Sequence, residues 1–293
     1  MPTPNDRSLF ESHPRQFAEN LYVYPVLSRR AGGISIGVNL NLDLLCNFSC
    51  IYCQVVRPPK TERPAQKSEP VDVNRLAVEL DWMVDWVTSG RIWQGTKFVG
   101  TPQPLRRLND IAFCGDGEPT ICPDFDKVVA AAAEIRVRRG LDDLKLVLIT
   151  NATLLDRPHV QRGLQIMDRS GGEIWAKLDA GSEDYYQQVA RTNVPFGRIL
   201  DNLRQAAQTR PIVIQSLFMK INGRPTPAAE QEAYCRRLQE IVAAGGQIKL
   251  VQIHTVARAP AESWVSSLSN EQVDAMADRI RRETGLPVTA AYG

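Results

Sequence analysis

Apolar positions along the chain switch repeatedly between a period of two and a period near 3.6, which predicts strands alternating with amphipathic helices. Ile34–Leu40 alternates like a first strand. Val73, Leu76, Leu80, Met83, Val84 and Val87 then mark one face of a helix ended by Gly90. Asp110–Cys114 reads as a second strand, and Pro123 suits the first turn of a helix running to Gly140. A third strand is Leu144–Thr150, followed by a helix around residues 156–168. A fourth is Glu173–Leu178, with helices after it to about residue 208. Ile212–Met219 is a fifth strand, too apolar for an exposed sheet, and a helix near 227–244 ends at Gly245 and Gly246. Ile248–His254 is the sixth, and Ser269 with Gln272 forms a capping-box pattern at the start of the last helix.

Six strands alternating with helices imply a parallel sheet with right-handed crossovers, hence an α/β fold. The count fits a (β/α)6 partial barrel, and a doubly wound open sheet is the alternative. Residues 1–32 read as an N-terminal arm with little periodicity, ending in a turn from Arg29 to Gly33. Residues 33–260 form the core, and 261–293 a C-terminal helix and tail packing on it. Pro58, Pro59, Pro64 and Pro70 make residues 55–70 an irregular connection, while Pro102 and Pro104 mark an insertion at 91–109.

The chain has 293 residues, 43% hydrophobic and 23% charged, which is ordinary globular composition. A formal net charge of +2 gives no global attraction to nucleic acid or membrane. No apolar run is long enough to span a bilayer, and the first residues carry no apolar signal core. A cytoplasmic protein is expected, with its six cysteines reduced.

Three of those cysteines, Cys46, Cys50 and Cys53, follow the first strand in C-x3-C-x2-C spacing. A disulfide framework suits short secreted chains, and zinc wants a fourth close ligand, which is missing here. The next cysteine, Cys114, lies 61 residues after Cys53. A four-iron cube takes one thiolate per iron, so three thiolates leave one iron open to a small molecule. Polar residues also collect at the other strand ends, where parallel α/β folds place their chemistry. These are Asp116 and Glu118, Thr150 and Asn151, Lys177 and Asp179, Gln215 and Ser216, and His254, Thr255 and Arg258. Lys177 and Asp179, two apart on a strand, point to one face. Each has a plainer reading: Gly115–Pro119 as a tight turn, Lys177–Asp179 as a structural ion pair, His254 as a core histidine, Tyr52 as packing.

The cysteine spacing, with Tyr52 before the third cysteine, resembles the signature of the radical S-adenosylmethionine (radical SAM) superfamily. The resemblance implies a partial TIM barrel and one 4Fe-4S cluster on Cys46, Cys50 and Cys53. It further implies that SAM chelates the open iron and is cleaved reductively to a 5′-deoxyadenosyl radical. Gly115–Glu118 is similar to the family's glycine-rich motif, with Asp116 where many members have glycine. On that basis Asp116, Gly117, Glu118, Asn151, Lys177, Gln215 and His254 are expected to bind SAM, with Tyr52 beside the adenine. Lys177, Asp179 and His254 are the expected catalytic residues. A flavodoxin- or ferredoxin-type electron donor is also implied.

Within the superfamily, Gly115–Thr120, Thr150–Asn151, Lys177–Asp179 and Val251–Arg258 resemble the wyosine-synthase-like group, whose substrate is a modified guanine in tRNA. Wyosine synthases carry a further cysteine set upstream; here none precedes Cys46, which argues for one cluster. An RNA base is therefore one substrate reading. A protein or peptide substrate, as in glycyl-radical activases, and a non-catalytic iron–sulfur or zinc module are the others. Oligomeric state is not legible.

Overall fold

In the computed structural model, strands buried on both faces carry the apolar runs. Residues 17–28, 32–55, 57, 70–94 and 97–293 are described. The first part of the expected arm, the Arg29–Arg30 turn and the proline-rich stretch 58–69 lie outside them. The chain divides into two units: Met1–Leu45, Ala65–Ile149 and Arg157–Glu173 in the first; Cys46–Pro64, Thr150–Asp156 and Ile174–Gly293 in the second.

In the first unit, β1 (Val23–Ser28) pairs antiparallel with β2 (Gly33–Val38), with Tyr24 opposite Gly37. A Cβ on Gly37 would sit 2.3 Å from the Tyr24 ring, so only glycine lets that ring lie flat on β2. β2 is buried along its whole length and pairs parallel with β3 (Leu108–Phe113). β3 in turn pairs parallel with β4 (Lys145–Thr150). Helix α1 (Val73–Thr88), capped by Asp72, separates β2 from β3 in sequence. Helix α2 (Phe125–Arg138) separates β3 from β4, and α3 (Pro158–Arg169) follows β4. The carboxylate of Glu79 on α1 accepts from the amides of Leu21 (3.0 Å) and Tyr22 (2.8 Å) and pins the entry to β1.

In the second unit, β5 (Glu173–Lys177) is followed by α4 (Glu183–Ala190) and α5 (Phe196–Thr209). Next come β6 (Ile212–Leu217) and a small hairpin of β7 (Lys220–Ile221) and β8 (Arg224–Pro225). Helix α6 (Ala228–Ala243) leads to β9 (Ile248–His254), and β10 (Val265–Ser266) joins the hairpin. Helix α7 (Asn270–Thr284) carries the expected capping box, Ser269 with Gln272, and β11 (Val288–Ala291) ends the chain. β5, β6, β9 and β11 are parallel neighbours in that order.

All six expected strands are present, and the fold is α/β with parallel strands joined through helices. Five strands were not expected: β1, β11 and the two-residue β7, β8 and β10. β1 lies where an arm without regular structure was read, and β11 lies in the tail. Residues 91–109 hold two short 3-10 turns before β3 begins. Among the described residues no helix is long and apolar enough to cross a membrane.

Candidate functional site

The cysteine loop of the second unit is shaped mainly by backbone. Ser49 N–H donates to Ala190 O (2.9 Å) and Ile51 N–H to Val189 O (3.0 Å), so the loop runs beside the last turn of α4. Arg191, which ends α4, has φ 48°, turning the chain away from that contact. Ile51 is fully buried and Phe48 nearly so, with the Phe48 ring edge-on to Tyr186 at 5.9 Å. These apolar anchors leave the three cysteines half-buried.

A polar network holds the other side of the loop. Asn47 Nδ2 donates to Thr153 Oγ1 (2.7 Å), and Asn151 Nδ2 donates to Asn47 Oδ1 (2.7 Å). Thr153 closes the circuit by donating to Asn151 Oδ1, from its amide at 3.1 Å and its hydroxyl at 2.7 Å. Thr192 Oγ1 donates to Asn47 O at 2.7 Å. Ala152, φ 64°, stands between Asn151 and Thr153, and Asn202 caps its carbonyl at 2.7 Å. Asn151, expected to bind SAM, also positions the loop through its bonds with Asn47 and Thr153.

The Cys50 thiol feels the charges of both other cysteines of the loop. Burial pushes the Cys50 thiol well above the usual range, and the negative charges of Cys46, Asp179 and Cys53 add to this, with Lys177 opposing. Three thiolates grouped in a poorly solvated place repel one another, and a cationic iron core is what relieves that repulsion. Among the described residues no group of three His, Cys, Asp or Glu could hold a single metal ion. A cube takes its thiolates at separate corners, one per iron. The donor set suits such a cluster.

Asp179 is the hub of the polar cluster beside the cysteines. Its Oδ2 accepts from the Tyr52 hydroxyl and lies 3.4 Å from Lys177 Nζ, while its Oδ1 accepts from the Leu217 amide at 2.8 Å. Lys177 Nζ also stands 5.1 Å from the centre of the Tyr52 ring, within cation–π range. Burial, then the Asp179 carboxylate and Cys50, drive the Tyr52 hydroxyl well above its ordinary pKa, so it stays a donor. The chain after Asp179 is fixed by close approach. A Cβ on Gly181 would lie 2.0 Å from the Tyr234 amide nitrogen of α6, and Glu230 accepts from the Gly181 and Ser182 amides.

Gln215 is buried on β6 and donates to Gln252 of β9 at 3.2 Å. His254 ends β9, half-buried, with its carbonyl accepting from the Phe218 amide at 2.9 Å. In the first unit, the Gly115–Glu118 turn rests on Asn39, whose Oδ1 accepts from the Asp116 amide (3.1 Å) and whose Nδ2 donates to Asp116 Oδ2 (2.6 Å). Glu118 N–H donates to the carbonyl of Leu45, the residue before Cys46, at 3.2 Å. The Glu118 carboxylate is buried and accepts from the Thr120 amide and hydroxyl. The Asp116 carboxylate is thus held by Asn39 and that of Glu118 by Thr120. Asn39, Asn47, Thr153 and Arg57 are site residues not singled out from sequence. Only Asn47, a polar residue inside the cysteine motif, carried a visible signal.

A crystal structure of archaeal TYW1 matches at 15% identity and TM-score 0.46, covering 85% of this chain and 72% of that one. A GTPase Obg from Brachyspira hyodysenteriae is 25% identical over 181 residues, 61% of this chain and 22% of that protein. A UPF0026 protein of Helicobacter pylori is 25% identical over 145 residues, 49% of this chain and 39% of that protein. UPF0026 protein slr1464 of Synechocystis is 26% identical over 203 residues, 67% and 63% of the two chains. The chain spans well under half the length of the first two of these relatives. The family model described as "Radical SAM superfamily" matches residues 44–223, from just before the cysteine loop to beyond β6. That match takes in more than half of the 293 residues, and the chain, with its parallel α/β partial-barrel fold, belongs to the radical SAM superfamily.

Proposed function

We propose that this chain is a radical SAM enzyme working with one 4Fe-4S cluster held by Cys46, Cys50 and Cys53. The single observation that carries the reading is the grouping of these thiols beside Tyr52, Asp179 and Lys177. When bound, the cluster and SAM supply one-electron cleavage of the SAM sulfonium and hydrogen abstraction from a substrate carbon. The protein's own part is to hold and orient. Asp179 fixes the Tyr52 ring, which would lie beside the adenine of SAM, and Lys177 and Asp179 would meet its methionine or ribose. Gln215 and His254 contribute polar groups for SAM, and His254 also for substrate. A flavodoxin- or ferredoxin-type protein delivers the electron, in the cytoplasm. The substrate class to test first is an RNA base, on the resemblance of the strand-end motifs to the wyosine-synthase-like group.

The test is anaerobic reconstitution followed by SAM and dithionite. About four irons per chain, lost in Cys50→Ala and kept in Cys235→Ala, with 5′-deoxyadenosine as product, is the expected result. Reconstituted protein that holds iron yet releases no 5′-deoxyadenosine, with or without cell RNA, would sink the enzyme reading. Salt-sensitive retention of tRNA is the matching test of the RNA substrate.

A further inference from the structure

We infer that Arg57 sets the reduction potential of the cluster through a charge-assisted hydrogen bond to the third ligand, Cys53. The inference rests on the proposed cluster and goes beyond it. Arg57 lies four residues after Cys53, and its Nη1 donates to Cys53 Sγ at 2.8 Å. Both side chains are half-buried, so solvent only partly screens the guanidinium. Cys53 itself is held in place by its amide, which donates to Cys50 O at 3.0 Å. The backbone at Cys53 is thus anchored and a cation is trained on its sulfur, while among the described residues Lys177, which also acts on Cys50, is shared with Asp179 and the Tyr52 ring.

The chemistry is a one-electron couple. An external low-potential donor is oxidised and the cluster takes up one electron, with no bond made or broken. Reduction adds negative charge to an assembly already made negative by three thiolates. A cation hydrogen-bonded to one of those sulfurs stabilises the reduced form more than the oxidised one and raises the potential. Hydrogen bonds to sulfur and local charge are established levers on such potentials. An arginine keeps its proton at any working pH, so this contribution is permanent.

The experiment is a redox titration of the reconstituted full chain, read by the electron paramagnetic resonance of the reduced cluster, with iron counted in parallel. Arg57→Gln keeps a donor but removes the charge; Arg57→Lys keeps the charge without the planar fork. At a fixed potential near the wild-type midpoint, the reduced-to-oxidised ratio should fall about tenfold in Arg57→Gln, equivalent to ~59 mV for one electron. Arg57→Lys should recover most of the loss. An unchanged ratio in Arg57→Gln at wild-type iron content overturns the inference while leaving the cluster reading intact. Should Arg57→Gln take up no iron, Arg57→Lys decides: a potential near wild type supports the charge as the cause, and a lysine variant that also loses iron overturns it. Wild-type protein that binds no cluster overturns the reading of the cysteines, and this inference with it.

Discussion

The hydroxyl of Tyr52 donates to the carboxylate of Asp179, joining the cysteine loop to the end of β5 across 127 residues of sequence. Asp179 also receives the Leu217 amide and faces Lys177, so the two partners are unequal. Tyr52→Phe removes one donor from a carboxylate that keeps two others and should cost about 1 kcal/mol. Asp179→Ala strands a half-buried ammonium, a hydroxyl and an amide together and should cost about 2–3 kcal/mol. Urea unfolding of both single variants and the double variant should show non-additivity of about 1 kcal/mol. Strict additivity would mean that the two side chains are not coupled.

Gly117 has no room for a side chain. A Cβ there would lie 1.9 Å from the Leu45 carbonyl oxygen and 2.6 Å from Asn41, whose side chain is fully buried. Gly117→Ala should lower stability by about 1–3 kcal/mol, because backbone rather than a mobile chain end must move. Gly140→Ala makes a contrasting case: space is open there, but φ is 63°, so the cost is strain alone, about 1–2 kcal/mol. Since Leu45 precedes Cys46, Gly117→Ala should also lower iron retention on reconstitution, which Gly140→Ala should leave unchanged.

Removing the amide of Asn151 attacks the loop from its other side. Asn151→Ala deletes the bond to Asn47 and both bonds from Thr153 while leaving every cysteine in place. Iron release to a chelator should quicken several-fold, with the iron count at saturation unchanged. A wild-type release rate would show that the backbone contacts to α4 hold the loop unaided.

Acid should weaken the pairing of α1 with α2. Two hydrogen bonds from the Arg139 guanidinium, at 2.7 and 2.9 Å, and one from Arg138, at 2.8 Å, hold the Asp81 carboxyl down from 3.8 to about 2. Below pH 4 the unfolded chain binds a proton that the folded chain refuses, so this contribution fades as pH falls from about 4 through 2. The pair is partly exposed, so its worth is at most about 1 kcal/mol. Asp81→Asn should flatten the acid limb of the stability curve by that amount, measured by urea unfolding.

Alkali acts through tyrosines. Burial raises the hydroxyl pKa of Tyr52, Tyr185, Tyr186 and Tyr234. Above about pH 10 the unfolded chain sheds these protons and the folded chain keeps them, so stability falls as pH rises. Tyr234→Phe should shallow that slope by about 1.4 kcal/mol per pH unit, even though it also loses a 2.6 Å hydrogen bond with Ser216. An unchanged slope would show that Tyr234 ionises as freely folded as unfolded.

The strands were legible where burial on both faces writes them as unbroken apolar runs, as in β2 and β6. β1 escaped notice because it contains Pro25, which removes a donor and reads as a breaker. An outer strand tolerates that loss, and Pro25 sits opposite Ile36 there. β11 is four residues long, too short for a period to register. The cysteine spacing and the Lys177–Asp179 pair are local patterns and could be read directly. The Asn47–Thr153 bond spans 106 residues and the Tyr52–Asp179 bond more, and no local pattern encodes either. Nothing local in the sequence sets Arg57 apart from the other arginines; its place beside the Cys53 sulfur does.

The cysteine loop leans on α4 through the amides of Ser49 and Ile51, groups that every residue but proline owns. A loop shaped by side chains is hostage to each of them. One shaped by main chain leans on few side chains, here the apolar Phe48 and Ile51 and the Asn47 anchor, and beyond these, the cysteines and Tyr52 it tolerates change. Such a loop offers lineages a way to change the residues around a reactive centre, and with them its reach and selectivity, without moving the three sulfurs.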